Sequence, residues 1–205
     1  MDENVKRAVA VLNKHGFKAV YAADEESAKK MIMERIPKDA KVGIPGSKTV
    51  RQLGLDQALR ERGNVTYDHW LKGLSDQDIL KTRKAQLNCD VLLTSSNAIT
   101  ETGEIYNMDG VGNRVAPMIF GPPLVLIVAG KNKIVPNLDA ARDRLQKIAA
   151  PKRAAELNLK LSCATTGECD DCNSPGRICR AEVVLHRPPS LTEIEIYIID
   201  RELGN

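Results

Sequence analysis

Pro123-Leu-Val-Leu-Ile-Val-Ala129 is the most apolar stretch of the sequence. A continuous apolar run of this length predicts a strand buried on both faces, as in a parallel sheet covered by helices. Cys89-Asp-Val-Leu-Leu-Thr-Ser95 predicts a second buried strand, and residues 138–149 predict a helix after the first. These segments together predict an α/β protein.

The same alternation of amphipathic stretches and short apolar runs extends toward both ends of the chain. It predicts a mostly parallel sheet flanked by helices. The further helices are expected at 3–15, 24–36, 75–87 and 151–161, and the further strands at 17–21, 41–44, 65–67, 183–186 and 194–199. Asp24 is the expected N-cap of the second helix, because an acceptor side chain there satisfies a free backbone N–H. Pro188-Pro189 excludes a tight hairpin between the last two strands.

Composition narrows the class of protein. The 205 residues include 30 Lys and Arg against 27 Asp and Glu, a net charge of +3, which is too small a bias to predict nucleic-acid binding. This length predicts one domain over 1–205, with 162–180 as a cysteine-rich loop. No apolar run approaches the roughly 20 residues of a membrane span, and no signal-peptide core is present. We therefore expect a cytoplasmic protein.

Gly43-Ile-Pro-Gly-Ser-Lys-Thr49 lies at a predicted strand-to-helix junction. Gly46 allows close backbone approach, Ser47 is a potential helix cap, and Lys48 adds positive charge. This pattern suits a small anion, although it matches neither a Walker A loop nor a dinucleotide fingerprint. A capped turn with a solvated lysine explains the segment equally well.

A polar passage at 96–114 follows the strand that begins at Cys89. It is rich in amide, hydroxyl and acidic side chains. Glu101 is a candidate general base or nucleophile, and Arg114 can grip a carboxylate through its planar guanidinium. The other candidate ligand-binding residues are Asn97, Thr100 and Asn113. Alternatively, Thr102-Gly103 and Asp109-Gly110 are hairpin turns, and the acids are solvated.

Four of the five cysteines lie in one 17-residue stretch, at Cys163, Cys169, Cys172 and Cys179. A cytoplasmic chain has little use for disulfides, so this clustering points to metal. Ligation by thiolates alone suits a [4Fe–4S] cluster, which we favour, or tetrahedral zinc. A third interpretation of the four cysteines is that they are reactive or disulfide-linked thiols.

Five other residues with reactive or aromatic side chains are interpreted as structural. Cys89 begins an apolar strand and is expected to be a core thiol. No histidine has a metal partner at ligand spacing, and Trp70 is expected to anchor a loop. The histidines are His15, His69 and His186.

Several motifs in order resemble the LUD-domain (lactate utilisation) family, which includes the LutC and YkgG proteins. The resemblance covers nearly the whole chain. It is carried by Gly46-Ser-Lys-Thr49, Thr94-Ser-Ser-Asn-Ala-Ile-Thr-Glu-Thr-Gly103, Asp109-Gly-Val-Gly-Asn-Arg114, Phe120-Gly-Pro122 and Glu202-Leu-Gly204.

This resemblance implies a Rossmann-like sheet of the type shared with ribose-phosphate isomerases, glucosamine-phosphate deaminases and CoA transferases. It also implies a role in oxidising lactate, in which this kind of subunit works beside an iron–sulfur partner. LutC-like proteins usually leave the clusters to that partner, whereas this chain carries its own four-cysteine loop. It resembles the short, stand-alone LUD proteins of anaerobes in that respect.

Three hypotheses follow. The first is a redox-associated protein of lactate or related 2-hydroxy-acid metabolism that binds a small anion and carries an iron–sulfur cluster for electron transfer. The second is an isomerase or acyl/CoA-transferase-like enzyme with Glu101 as catalyst and structural zinc. The third is a non-catalytic subunit of a larger iron–sulfur or flavin oxidoreductase. All three leave open whether the chain forms a homo-oligomer.

Overall fold

A computed structural model describes residues 1–205 and contains two sheets with associated helices. The strands are β1 (Lys18–Ala22), β2 (Val42–Ile44), β3 (Thr66–Asp68), β4 (Val91–Thr94), β5 (Ala98–Thr100), β6 (Ile105–Asp109), β7 (Leu124–Gly130), β8 (Ile134–Val135), β9 (Ala181–Leu185) and β10 (Glu193–Ile199). The helices are α1 (Glu3–Lys14), α2 (Glu25–Arg35), α3 (Lys48–Gln52), α4 (Leu55–Glu61), α5 (Asp76–Ala85), α6 (Ala116–Ile119), α7 (Leu138–Arg144), α8 (Ala150–Glu156) and α9 (Ser162–Thr166).

The larger sheet has six strands in the order β1-β10-β7-β4-β2-β3, and every pair in it is parallel. All seven residues of β7 are buried, which confirms the interpretation of the apolar run. Successive side chains of a strand point to opposite faces. The sheet is therefore covered on both sides, and the predicted α/β class is confirmed.

Each face of this sheet has its own apolar core. Leu93 and Leu126 pack with Ile32 of α2 and Leu59 of α4 on one face. The core of the other face is formed by strand and α1 residues, among them Leu92, Val125, Ile127, Val5, Ala8 and Leu12. At roughly 25 cal/mol per Å² of buried apolar area, these two layers are the main stabilising contribution.

Helix starts follow the expected capping chemistry. Asp24 accepts a hydrogen bond from the Ser27 backbone N–H at 2.7 Å, and the Ser27 hydroxyl reaches back to Asp24, so α2 begins with a capping box. The predicted N-cap is confirmed.

The smaller sheet has the order β8-β5-β6-β9, and sequence patterning did not foresee it. β5 and β6 pair antiparallel, so the polar passage at 96–114 contains a hairpin in addition to loops. The last two strands separate: β9 pairs with β6 in the small sheet, whereas β10 lies between β1 and β7 in the large one. No helix combines the length and apolar character needed to cross a membrane.

Candidate functional site

A cavity of about 330 Å³, here called the main cavity, lies where the segments after β2, β3, β4 and β7 meet. Ligands of open parallel sheets bind at this position, beyond the carboxyl ends of the strands. The lining residues used below are Gly46, Ser47, Lys48, Thr49, His69, Trp70, Arg83, Ser95, Asn97, Asp109, Asn113, Arg114, Lys133, Arg153, Ile178, Gly204 and Asn205.

The lining carries far more positive than negative charge. Burial lowers the pKa of His69 to about 4, with nearby Arg83 adding to the effect, so this imidazole is neutral at pH 7. The only carboxylate side chain in the lining is that of Asp109. The five cationic side chains are those of Lys48, Arg83, Arg114, Lys133 and Arg153. An excess of this kind favours an anionic ligand.

Lys133 is the most unusual of these cations. It is 4% exposed, and its Nζ donates to Ser95 Oγ at 2.8 Å and to Thr49 Oγ1 at 3.2 Å. Neither partner is charged, so nothing compensates for the cost of burying an ammonium ion. Burial lowers the pKa of Lys133 to about 7, and the positive charges of Arg144 and Arg114 contribute. A large fraction of this amine is therefore neutral at neutral pH.

Arg114 is buried and already holds a full set of internal acceptors. Its guanidinium donates to Ser95 O, Met108 O and the side-chain oxygens of Asn97 and Asn107. Its Nε lies 3.6 Å from Asp109 Oδ1. These bonds tie the ends of β4 and β6 together, so Arg114 supplies positive charge to the cavity while its donors are occupied by the protein.

The other cations differ in how far they are neutralised. Lys48 pairs with Glu156, and Arg153 pairs with the same carboxylate at 3.3 Å while lying 4.6 Å from the centre of the Trp70 ring. Arg83 makes no such pair, and its buried Nε has no hydrogen-bond partner. An unsatisfied buried donor is costly, so Arg83 is the side chain with most to gain from a ligand.

Trp70 forms one wall of the main cavity. A Cβ added at Gly46, where φ is +72°, would lie 2.8 Å from the indole, so only glycine fits this close approach. Asp68 fixes the loop by accepting from the Trp70 backbone N–H at 3.0 Å and from Arg51 at 2.6 Å. Arg51 also lies 5.5 Å from the indole centre. The prediction that Trp70 anchors a loop is therefore compatible with its lining the cavity.

Residues 204–205 fold back against the same site. A Cβ added at Gly204 would lie 2.5 Å from Thr49 Oγ1 and 2.9 Å from Lys133 Nζ. Asn205 Oδ1 accepts from Lys48 Nζ at 2.9 Å. The main cavity therefore combines the segment after β2 with residues 204–205, which no local motif reveals.

The structure brings six of the residues expected to bind ligand together at the main cavity: Gly46, Ser47, Lys48, Asn97, Asn113 and Arg114. Ser47 and Asn113, like Lys48, Asn97 and Arg114, also have partners within the protein. Ser47 Oγ caps α3 by accepting from the Val50 N–H at 3.2 Å, and Asn113 donates to Gln86 at 3.3 Å. Their role in ligand binding stays a prediction.

Thr100 and Glu101 lie elsewhere, at the turn of the β5–β6 hairpin. The Thr100 hydroxyl donates to the Glu104 carboxylate, and Glu101 accepts from Arg7 Nε at 2.7 Å. Strand β5 carries the chain away from Asn97, so its apolar residues separate this turn from the part of 96–114 that lines the cavity. We therefore assign Glu101 no part in the chemistry of the main cavity.

The four clustered cysteines line a second, small cavity of about 20 Å³, here called the cysteine pocket. All four are free thiols. Arg177 organises the loop by donating to Cys172 O at 2.7 Å and to Cys179 O. Cys89 lies apart in the apolar core, as expected, and burial raises its pKa to about 11.

The type of donor in the cysteine pocket suits the expected metal, whereas the geometry and size of the pocket do not. The four cysteines line one pocket, and thiolates are the soft donors that zinc and iron–sulfur clusters require. Burial and the neighbouring cysteines raise the pKa of both Cys163 and Cys179, and the positive charge of Arg177 offsets part of the rise at Cys179. No three side chains stand in a metal-ligating arrangement, and the pocket has room for about one water-sized group.

The two cavities share a wall. Ile178 lines both, and its carbonyl and Cα pack against Gly110. The Arg180 N–H donates to Asp109 O at 3.0 Å, where the β6–β9 ladder begins. The cysteine loop therefore packs directly against the main site, through residues that lie far apart in sequence.

Comparison with known families assigns the chain to one of them. Residues 5–199 match the LUD domain. This chain belongs to the LUD domain family. The family is associated with lactate utilisation. The resemblance seen in the sequence motifs is thus confirmed.

A solved structure supports the fold of this LUD domain. The crystal structure of a DUF162 family protein from Deinococcus radiodurans matches it with a TM-score of 0.56 and 14% sequence identity, over 96% of each chain. At that identity the likeness concerns the fold alone. No match is found among curated proteins.

Sequence reasoning missed two functional candidates of this LUD domain, Lys133 and Arg83. Lys131-Asn-Lys133 reads as an ordinary solvated turn, and Arg83 belongs to a polar helix with no buried residue. The only local signal for Lys133 is its place directly after the most apolar strand, where parallel sheets hold their ligands.

Proposed function

We propose that this LUD domain binds a small carboxylate of the 2-hydroxy-acid class, such as lactate, in the main cavity and takes part in its oxidation. The observation that carries the proposal is the unpartnered Arg83 in a cavity whose lining has four cationic side chains besides the partly neutral Lys133, against one acidic side chain. Family membership supports lactate as the first ligand to test.

Arg83 would hold the carboxylate, because its Nε has no partner in the protein and a planar guanidinium matches two carboxylate oxygens. The hydroxyls of Ser95 and Thr49, which already meet at Lys133, provide neutral partners for the substrate hydroxyl. Trp70 and Ile178 supply the apolar walls that a small methyl group needs. A cavity of about 330 Å³ accommodates a molecule of this size with water.

The redox part of the proposal concerns the cysteine pocket. We propose a [4Fe–4S] cluster on Cys163, Cys169, Cys172 and Cys179, with zinc as the alternative. The four-thiol donor set supports either, whereas a cluster would require the loop at 162–180 to open around it, since the pocket is small. A cluster there would supply one-electron transfer, and the shared wall at Ile178 would bring that chemistry next to the bound acid.

Oxidation of a 2-hydroxy acid to a 2-oxo acid releases two electrons and two protons. We propose that a larger iron–sulfur or flavin oxidoreductase subunit accepts the electrons, in a reducing cytoplasm that keeps the thiols free as ligands. The neutral fraction of Lys133 can take up a proton released in the main cavity.

Binding is tested by calorimetry with L-lactate on the wild-type chain, Arg83→Gln and Lys84→Gln. Lys84 is exposed and adjacent on the same helix, so its variant has the same net charge as the Arg83 variant. We expect Arg83→Gln to weaken lactate binding at least roughly tenfold and Lys84→Gln to leave it unchanged. Equal affinity in the two variants, or no binding to the wild type, would refute the ligand assignment.

The metal is tested on protein purified without oxygen, by iron, zinc and sulfide content. Iron and sulfide with broad visible absorption support the cluster. One zinc per chain without iron would overturn it and favour the isomerase or transferase alternative. Co-purification with a larger oxidoreductase and no activity alone would favour the non-catalytic subunit.

A further inference from the structure

Lys133 has the surroundings of a nucleophile rather than of a charge that holds the fold together. It is 4% exposed, lines the main cavity, and follows β7 on a short turn, so its backbone is fixed by the most buried strand of the sheet. No carboxylate pairs with it, whereas Lys131, two residues earlier, pairs with Asp200 at 2.7 Å and with Asp2 at 3.3 Å.

The hydrogen bonds of Lys133 suit a neutral amine. Its Nζ has two acceptors, Ser95 Oγ and Thr49 Oγ1, and a neutral amine has two hydrogens to donate and one lone pair. Both hydrogens are therefore engaged, and the lone pair stays free on a side chain that lines the cavity. An ammonium ion would have a third hydrogen and no acceptor among these neighbours.

The charges around the amine oppose protonation. Arg114 and Arg144 lower its proton affinity, and burial does so more strongly. Asp109 is the only acidic side chain in the lining, and its carboxylate already accepts from the Arg114 backbone N–H at 3.0 Å and faces the Arg114 guanidinium. A buried lysine of this kind is the usual starting point for imine formation with carbonyl compounds.

We propose that Lys133 forms an imine with the carbonyl carbon of a 2-oxo acid held in the main cavity. The Nζ lone pair attacks the carbonyl carbon to give a carbinolamine, and the carbonyl oxygen then leaves as water with the two former amine hydrogens. The inference rests on the proposed function only for the ligand class, because a 2-oxo acid is the oxidised form of a 2-hydroxy acid. The activity itself requires neither a metal nor a partner.

An imine would give the chain an activity distinct from redox chemistry. It withdraws electrons from the neighbouring carbon and makes the hydrogens there acidic, which allows proton exchange or carbon–carbon bond chemistry beside the former carbonyl. The cations of the lining, Arg83 above all, would hold the acid's carboxylate while this occurs.

The experiment is reductive trapping with pyruvate and sodium cyanoborohydride at pH 7.5, followed by peptide mass mapping. We expect one adduct per chain on Lys133, with a mass increase of pyruvic acid less one oxygen atom. Lys133→Arg keeps a cation but cannot form the imine, so it should give no adduct at this position. Lys131→Arg is the matched control in the same turn and should trap like the wild type.

Peptide mass mapping of the wild-type protein tests the inference by itself, even if a Lys133 variant folds poorly. No adduct on Lys133 of the wild type, or adducts spread evenly over exposed lysines, would overturn the inference. As a second readout, the wild type but not Lys133→Arg should exchange the methyl hydrogens of pyruvate in heavy water, measured by NMR.

Added L-lactate separates this inference from the proposed function. Lactate has no keto group and so cannot form the imine, but it should suppress trapping by occupying the main cavity. Trapping that lactate fails to suppress would support the imine and refute lactate as the ligand. Lactate binding without any trapping would refute the imine and leave the ligand assignment standing.

Discussion

Replacement of Lys133 by Met should change how stability depends on pH. The pKa of Lys133 falls from 10.5 to about 7 in the folded protein, chiefly through burial. Each pKa unit corresponds to about 1.4 kcal/mol, so charging this amine costs about 5 kcal/mol more in the folded than in the unfolded chain. Met has a similar length and no charge, and it removes this cost.

The direction follows from proton binding. Since the folded pKa lies below the unfolded value, the unfolded chain binds more protons between pH 7 and pH 10. The wild-type free energy of unfolding should therefore gain about 2 kcal/mol from this residue between pH 7 and pH 9. Lys133→Met lacks that gain, so its stability advantage over the wild type should shrink by the same amount.

The assay is urea unfolding at pH 7, 8 and 9 with reductant present. Comparing the two proteins at each pH cancels other titrating groups, including the five cysteines. Lys30→Met, at an exposed position of α2, is the control and should follow the wild type at every pH. Parallel curves for Lys133→Met and the wild type would show that Lys133 is not a neutral buried amine.

Three further predictions concern the walls of the site. Gly46→Ala should cost about 1–2 kcal/mol of stability and quench or shift Trp70 fluorescence, because the methyl group meets the indole at a positive φ; an unchanged emission spectrum would contradict this. Asp68→Asn should lower the unfolding free energy by about 3 kcal/mol in urea titrations, since it removes the buried carboxylate that pairs with partly buried Arg51; a loss below about 1 kcal/mol would argue against the ion-pair network. Elemental analysis of protein purified without oxygen should show less metal in Cys172→Ser than in the wild type, and an unchanged metal content in Cys89→Ser; equal metal in the two variants would exclude the cysteine pocket as the metal site.

Much of the fold was accessible from local patterns. The run at β7 is apolar on both faces because helices cover both sides of the sheet, and that property is visible in sequence. The N-cap at Asp24 is likewise a local interaction between residues three apart. The strand β9 and a turn at Thr102-Gly103 could be predicted locally, but their assembly into a small sheet could not, because β8 has only two residues and β8 and β9 pair with segments far away in sequence.

The sequence by itself determined the α/β class and the separation of Cys89 from the four clustered cysteines, because these depend on composition, periodicity and spacing, and its motifs carried the resemblance to the family. Only the tertiary structure decided which polar residues share a cavity. It placed Lys133 and Arg83 beside Ser95 and put Glu101 on a distant hairpin turn. Burial and neighbouring charge, which arise only when remote segments pack together, lower the pKa of Lys133 to about 7 and so distinguish it from an ordinary lysine of a short turn.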